Sequence, residues 1–203
     1  MDLFTSLMCV LGLVVIGGPL GLILYGRSTG KSDRKFLSST SVEDLWARAE
    51  LPAEGRSRHS IYAFSHNYAG WTWNLMQDGK DLGTFTCSQG GEAYFNAPPL
   101  ETKMWVGNAT HVGATITKEI HVRDGKMVKC VEEALWNQFS LNDGKDNYLV
   151  STSTEVGRVV QNDHHVGSHY KVSVDAHVLV IDKNVPDYIT AIIISLLTMM
   201  RMK

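Results

Sequence analysis

After Pro186 the chain runs Asp-Tyr-Ile-Thr-Ala-Ile-Ile-Ile-Ser-Leu-Leu-Thr-Met-Met, which as a helix is apolar on nearly every side, interrupted mildly by Thr190, Ser195 and Thr198. A helix without a polar face has to be buried all round. From Tyr188 to Met200 it rises only about 20 Å at roughly 1.5 Å per residue, short of the ~30 Å hydrocarbon core of a bilayer. Burial in the bilayer stays open as an alternative, but a core helix inside the protein is the better physical fit. The preceding chain then has to supply a shell around it.

The material for a shell is present. Beyond His59 the sequence breaks into short alternating runs separated by turn pairs, with Asp-Gly at Asp78-Gly79, Asp124-Gly125 and Asp143-Gly144. Gly and Asp tolerate the positive φ that tight hairpin turns demand. Two hairpins are therefore expected, from Trp71 to Met76 with Leu82 to Cys87, and from Thr115 to Val122 with Met127 to Val131. Further strands are expected at 61–65, 93–96, 103–106, 136–141, 148–152, 156–160 and 170–181, the last because Tyr170, Val172 and Val174 alternate with Lys171, Ser173 and Asp175. Some ten to twelve strands with so little helix point to a closed barrel or a sandwich, since closure removes exposed edges.

At the other end, Leu3 to Gly26 contains no charged residue and is long enough to cross a bilayer. A cleaved signal peptide would carry Lys or Arg before a shorter apolar run, whereas here only Asp2 precedes a longer one. The segment is read as a retained single-pass anchor, and Gly17-Gly18-Pro19-Leu20-Gly21 within it as a kink or as a face for packing on other membrane subunits. Arg27, Lys31, Arg34 and Lys35 follow immediately, so the positive-inside rule places the soluble part in the cytoplasm. The acceptor triplet Asn108-Ala109-Thr110 would matter only on the lumenal side, and three residues weigh less than four charges. The expected organisation is an anchor over 1–26, a basic linker with a short helix over 27–54, and a β-barrel domain with its core helix over 55–203. In the linker Ser41 can cap the helix, Glu43 and Asp44 suit its positive end, and Pro52 stops it.

Glu155-Val156-Gly157-Arg158-Val159-Val160, then Tyr170-Lys171-Val172-Ser173-Val174, then Pro186-Asp187-Tyr188 and the apolar helix resemble the end of tubby C-terminal-like domains, which include LURP-one-related and phospholipid-scramblase-like proteins. That resemblance covers about 50 residues. It implies a closed antiparallel barrel of about twelve strands filled by its C-terminal hydrophobic helix. Members often carry an acidic residue near the end of the helix, and Ser195 to Lys203 has none, so calcium-linked or scramblase activity is not implied. Their membrane helix is usually assigned to the C-terminal segment, where this chain has its apolar run at the N-terminus.

Chemistry is sparse. The only metal-like grouping, Asp163-His164-His165-Val166-Gly167-Ser168-His169, falls between two expected strands, where a solvated turn is the plainer reading of His164, His165 and His169. No phosphate-binding Gly loop, Gly-x-Ser-x-Gly elbow or His-Glu-x-x-His pattern occurs, and no cofactor is expected. Cys87 and Cys130 show no metal spacing and read as two buried thiols, with a disulfide as the alternative. Among the aromatics, Tyr62, Phe64, Tyr68, Trp71 and Trp73 read as core packing, with ligand or membrane contact as the alternative. A net charge of -2 with 20% charged residues excludes a nucleic-acid partner as the first reading. The expected role is non-enzymatic, binding anionic lipid such as phosphoinositide, or a protein partner, through Arg27, Lys31, Arg34, Lys35 and the loop residues Lys80, Arg123 and Lys126. The alternative is a scaffold subunit of a membrane complex.

Overall fold

The computed structural model describes residues 42–49, 53–67, 71–88, 90–133, 137–152, 156–173 and 175–199. The apolar N-terminal run and Arg27, Lys31, Arg34 and Lys35 lie outside them. Helix α1 (Val42–Ala47) and a 3₁₀ turn (Ala53–Arg58) lead into twelve strands. These are β1 (His59–Asn67), β2 (Thr72–Gln77), β3 (Lys80–Cys87), β4 (Ala93–Phe95), β5 (Thr102–Val112) and β6 (Thr115–Val122). Then come β7 (Met127–Glu133), β8 (Gln138–Asn142), β9 (Asn147–Ser151), β10 (Val156–Gln161), β11 (His164–Ser173) and β12 (Ala176–Asp182). Helix α2 (Asp187–Met199) follows. Every strand pairs antiparallel with its neighbours in sequence, and β1 with β12 closes the barrel.

All ten residues from Ile189 to Thr198 are buried, so α2 has no exposed side and runs through the barrel. Around it the inward positions of the strands form one core: Tyr62 and Phe64 from β1, Trp73 and Leu75 from β2, Phe85 from β3, Leu179 and Ile181 from β12. Phe85 stacks on Phe95 at 4.5 Å between ring centroids and lies edge-on to Phe64 at 6.3 Å. The helix hydroxyls that looked like interruptions are satisfied inside: Ser195 donates to the Ala191 carbonyl at 2.8 Å and Thr198 to the Ser195 carbonyl at 2.7 Å. Bonding back into the helix lets these polar side chains sit in an apolar core.

A second core lies on the outside. Leu45, Trp46 and Ala49, in and just after α1, cover Ile61 and Ala63 of β1, Tyr170 of β11, and Ala176, Val178 and Val180 of β12. The Tyr170 hydroxyl donates to the Leu45 carbonyl at 2.8 Å. With α2 on one side and α1 on the other, β12 is buried at all seven positions.

Trp71, read with Trp73 as core packing, stands exposed just before β2, where it has no inward strand position, and two further expectations are corrected. The run from Tyr170 to Ile181 is two strands, folded back at a turn where the Asp175 amide donates to Ser173 Oγ at 3.1 Å. Burial on both faces of β12 removes the alternation that would have marked the break. The second of these concerns the turn before β11, which is only Asn162-Asp163, both at positive φ (46° and 67°). His164 and His165 are therefore already on a strand. The Asp-Gly turns are present as expected, with Asp78 and Gly79 at φ of 49° and 80°. Cys87 and Cys130 are free, buried thiols, and burial pushes them up to about 11 and about 12 respectively.

Replacing Ile193 by Asp should unfold the barrel. The site is fully buried, and losing the apolar side chain while burying an unpaired carboxylate costs on the order of 5 kcal/mol, a large part of a typical ~5–15 kcal/mol stability. Loss of cooperative thermal unfolding in the Ile193→Asp protein is the expected result, and an unchanged transition would place the helix elsewhere.

Candidate functional site

An up-and-down barrel sorts its turns. The β2–β3, β4–β5, β6–β7, β8–β9 and β10–β11 connections and the β12–α2 link all fall at the end where α2 enters, here called the near rim. Lys80, Arg123 and Lys126 are therefore on one rim and exposed. Arg123 and Lys126 share the β6–β7 turn, while Lys80 begins β3, three strands from β6 and four from β7, or about 14–19 Å along the wall at ~4.8 Å per strand. The structure thus brings two of the three together.

The rim also carries carboxylates, and most of them are occupied by the turns they make. Asp78 Oδ1 accepts the Ile61 amide at 2.9 Å, and Asp81 Oδ1 accepts the Gly83 amide at 2.7 Å. Asp182 accepts the Asn184 amide at 2.9 Å and faces Arg58 at 3.4 Å. Asp143 takes the amides of Lys145 and Asp146 at 2.9 and 2.8 Å, and the Tyr188 hydroxyl at 2.7 Å. Partial burial opposes ionisation of Asp143, but these donors outweigh it and hold its carboxyl below the ordinary range. Lys126 lies 4.1 Å over the Tyr188 ring, so α2 is gripped at its first turn from two sides. The side chains of Lys80 and Arg123 make no hydrogen bond or ion pair among the described residues, although the Arg123 amide donates to the Lys103 carbonyl at 2.9 Å.

The three histidines of the metal-like cluster do not converge. His165 Nε2 lies 3.1 Å from Ser168 Oγ and is exposed, whereas His169, four residues on, points into the barrel with Nε2 2.8 Å from the Ser151 carbonyl. His164 is exposed at the start of the strand. Gly157 makes the His169 contact possible, because a Cβ there would sit 2.2 Å from both His169 Nε2 and the Ser151 oxygen. This is a physical reason for the Val-Gly-x-Val pattern of β10. Among the described residues no group of three or more His, Cys, Asp or Glu side chains is placed to hold a metal.

The far rim holds polar groups that the sequence reading missed. Inside the wall, His177 stacks on Phe64 at 5.5 Å with neither ring nitrogen hydrogen-bonded, and His169 Nδ1 is likewise unbonded. Burial pushes His177 down to about 3, helped by His169 and Lys171 nearby, and burial lowers His169 against the effect of its Ser151 bond. On another part of the inner wall Lys118 donates to Glu132, with side-chain exposures of 12% and 7%. The signal was legible: Lys118 shares its parity with Ile120 and Val122, and Glu132 with Val128 and Cys130, so each is a charge on an inward position.

At the near rim two shallow hollows of about 230 and 290 Å³ flank Asp187, and the first is lined by Tyr62, Asp78, Asp182 and Thr190 among others. Compared with family models, curated proteins and solved structures, the chain matches none.

A pH dependence follows from His177. Its folded state stays neutral while the unfolded chain takes up a proton below about pH 6.5, so its contribution is complete above that value and is lost as pH falls toward about 3. Urea midpoints measured from pH 7 to pH 5 should fall in the natural chain. In His177→Gln the fall should be shallower, by up to about 1.4 kcal/mol per pH unit. Identical slopes would remove His177 from the account.

Proposed function

We propose that this chain is a membrane-anchored, non-enzymatic β-barrel module of the tubby-like kind, binding anionic lipid headgroups at the bilayer surface. One observation carries the reading: on the near rim Asp78, Asp81, Asp143 and Asp182 are tied into turns, while the side chains of Lys80 and Arg123 are exposed and without a hydrogen bond or ion pair among the described residues. Phosphate groups attract such unpaired cations, each contributing on the order of 1 kcal/mol near an anionic surface. The sequence supports the same reading with Arg27, Lys31, Arg34 and Lys35 directly after the uncharged run. The barrel interior is filled by α2, which leaves the rims and outer wall for recognition.

Both cores close within residues 42–199, so the segment 36–203 is a suitable probe. It should cosediment with vesicles containing phosphatidylserine or a phosphoinositide, and much less with neutral phosphatidylcholine. Neutralising Lys80, Arg123 and Lys126 together should weaken binding on the order of 100-fold, with a smaller salt dependence. Equal, weak binding to both vesicle types would reject the lipid reading, and recovery of the full chain in a stable detergent-resistant complex would favour the scaffold alternative.

A further inference from the structure

The rim leaves open which side of the barrel faces the bilayer, and the outer wall of β4 to β7 carries an aromatic row, whereas on β9 Leu149 is exposed with no exposed aromatic beside it on the strand. Tyr94, Trp105 and Met127 are exposed there, at 43%, 38% and 50%. They form one continuous row. Tyr94 is diagonal to Trp105 across the β4–β5 pair, Trp105 pairs with His121, and His121 pairs with Met127. Trp105 and His121 stack with centroids 5.6 Å apart and planes 17° apart. Gly107 keeps that stack possible, since a Cβ there would meet His121 Nε2 at 2.5 Å.

Cations surround the row. Lys103 is the cross-strand partner of Tyr94, Lys129 follows Met127 on the same face, and Arg123 and Lys126 stand in the adjoining turn. The facing carboxylates are Glu101, Glu119 and Asp124. Of these Glu119 is drawn aside, accepting from Asn108 at 3.2 Å and lying 4.0 Å from His121. Tryptophan and tyrosine with neighbouring Lys and Arg suit the headgroup layer, where a ring sits at the apolar boundary and cations meet phosphate.

We propose that this wall, with the near rim beside it, lies against the bilayer in which the N-terminal run is anchored, an inference that rests on the membrane reading above. The fold permits that posture. Helix α1 covers β1, β11 and β12, which stand opposite β6 in the closed order, so the tether joins on the side away from the bilayer-facing wall. Residues 27–41 can reach at most about 50 Å, against a backbone barrel diameter of roughly 25 Å for twelve strands.

The test uses tryptophan emission, because residues 1–41 contain none and the anchor is therefore silent. The full chain is reconstituted in bilayers of phosphatidylcholine and phosphatidylserine, with and without lipid brominated near the headgroup. Bromolipid should quench the natural chain, and Trp105→Phe should lose at least half of that quenching. Trp71→Phe should keep it, since Trp71 is exposed at the far rim. Equal quenching in the natural chain and Trp105→Phe, loss confined to Trp71→Phe, or no quenching at all would each overturn the assignment. If vesicles still bind the 36–203 segment in any of those cases, the lipid reading stands and only the face is wrong.

Discussion

The structure depends on burying a helix that has no polar side. A surface helix needs only one covered stripe, but α2 is apolar or internally satisfied all round, and twelve strands are what it takes to surround it. Large inward side chains such as Trp73, Phe85, Phe95, Phe139 and Tyr148 fill the gap between wall and helix. The grip at the near rim, where Tyr188 reaches Asp143 and sits under Lys126, sets how far the helix is inserted. Register along the helix axis then decides which strand residues meet which helix residues, down to contacts such as Ser195 with Met104 and Thr198 with Cys87.

Much of this was legible in the sequence because the governing rules are local. The hairpin of Thr115 to Val122 with Met127 to Val131 carries alternation and an Asp-Gly turn, and β6 spans the expected residues. The helix after Pro186 announces itself by composition. The resemblance at Val156 to Val160 and Tyr170 to Val174 pointed to a filled barrel, and a closed twelve-stranded antiparallel barrel is present. What escaped was set by contacts distant in sequence. The β11–β12 break is hidden because α1, over a hundred residues earlier, buries the outer face of β12 and erases its polar positions. The Asn162-Asp163 turn was obscured by the histidines that follow, which read as a loop although strand pairing with β10 holds them extended.

The candidate sites were legible in unequal measure. Lys80, Arg123 and Lys126 were recognisable as turn residues, but that they share a rim depends on every strand reversing direction, and that Lys80 stands apart depends on strand order. The inward charges Lys118 and Glu132 and the imidazole of His177 are a different matter, since an apolar wall is expected to exclude them. Lys118, Glu132 and His177 all stand toward the far end of the barrel, away from the rim where Asp143 and Lys126 hold Tyr188. The row of Tyr94, Trp105 and Met127 is invisible to periodicity, because each strand contributes one or two residues and only pairing assembles them.

The order of the elements along the chain carries a consequence for how the protein comes to exist. The helix that fills the barrel follows all twelve strands, and the pair that closes the wall joins β1 to β12, the most widely separated strands in the chain. During synthesis the N-terminal strands therefore emerge with no core to condense upon, since closure waits for β12 and filling for Asp187 to Met199. Until β12 is available, inward-facing aromatics and open strand edges of the earlier strands are exposed together, a combination prone to aggregate. In a barrel with this order, a chain interrupted before α2 has a wall with nothing to enclose.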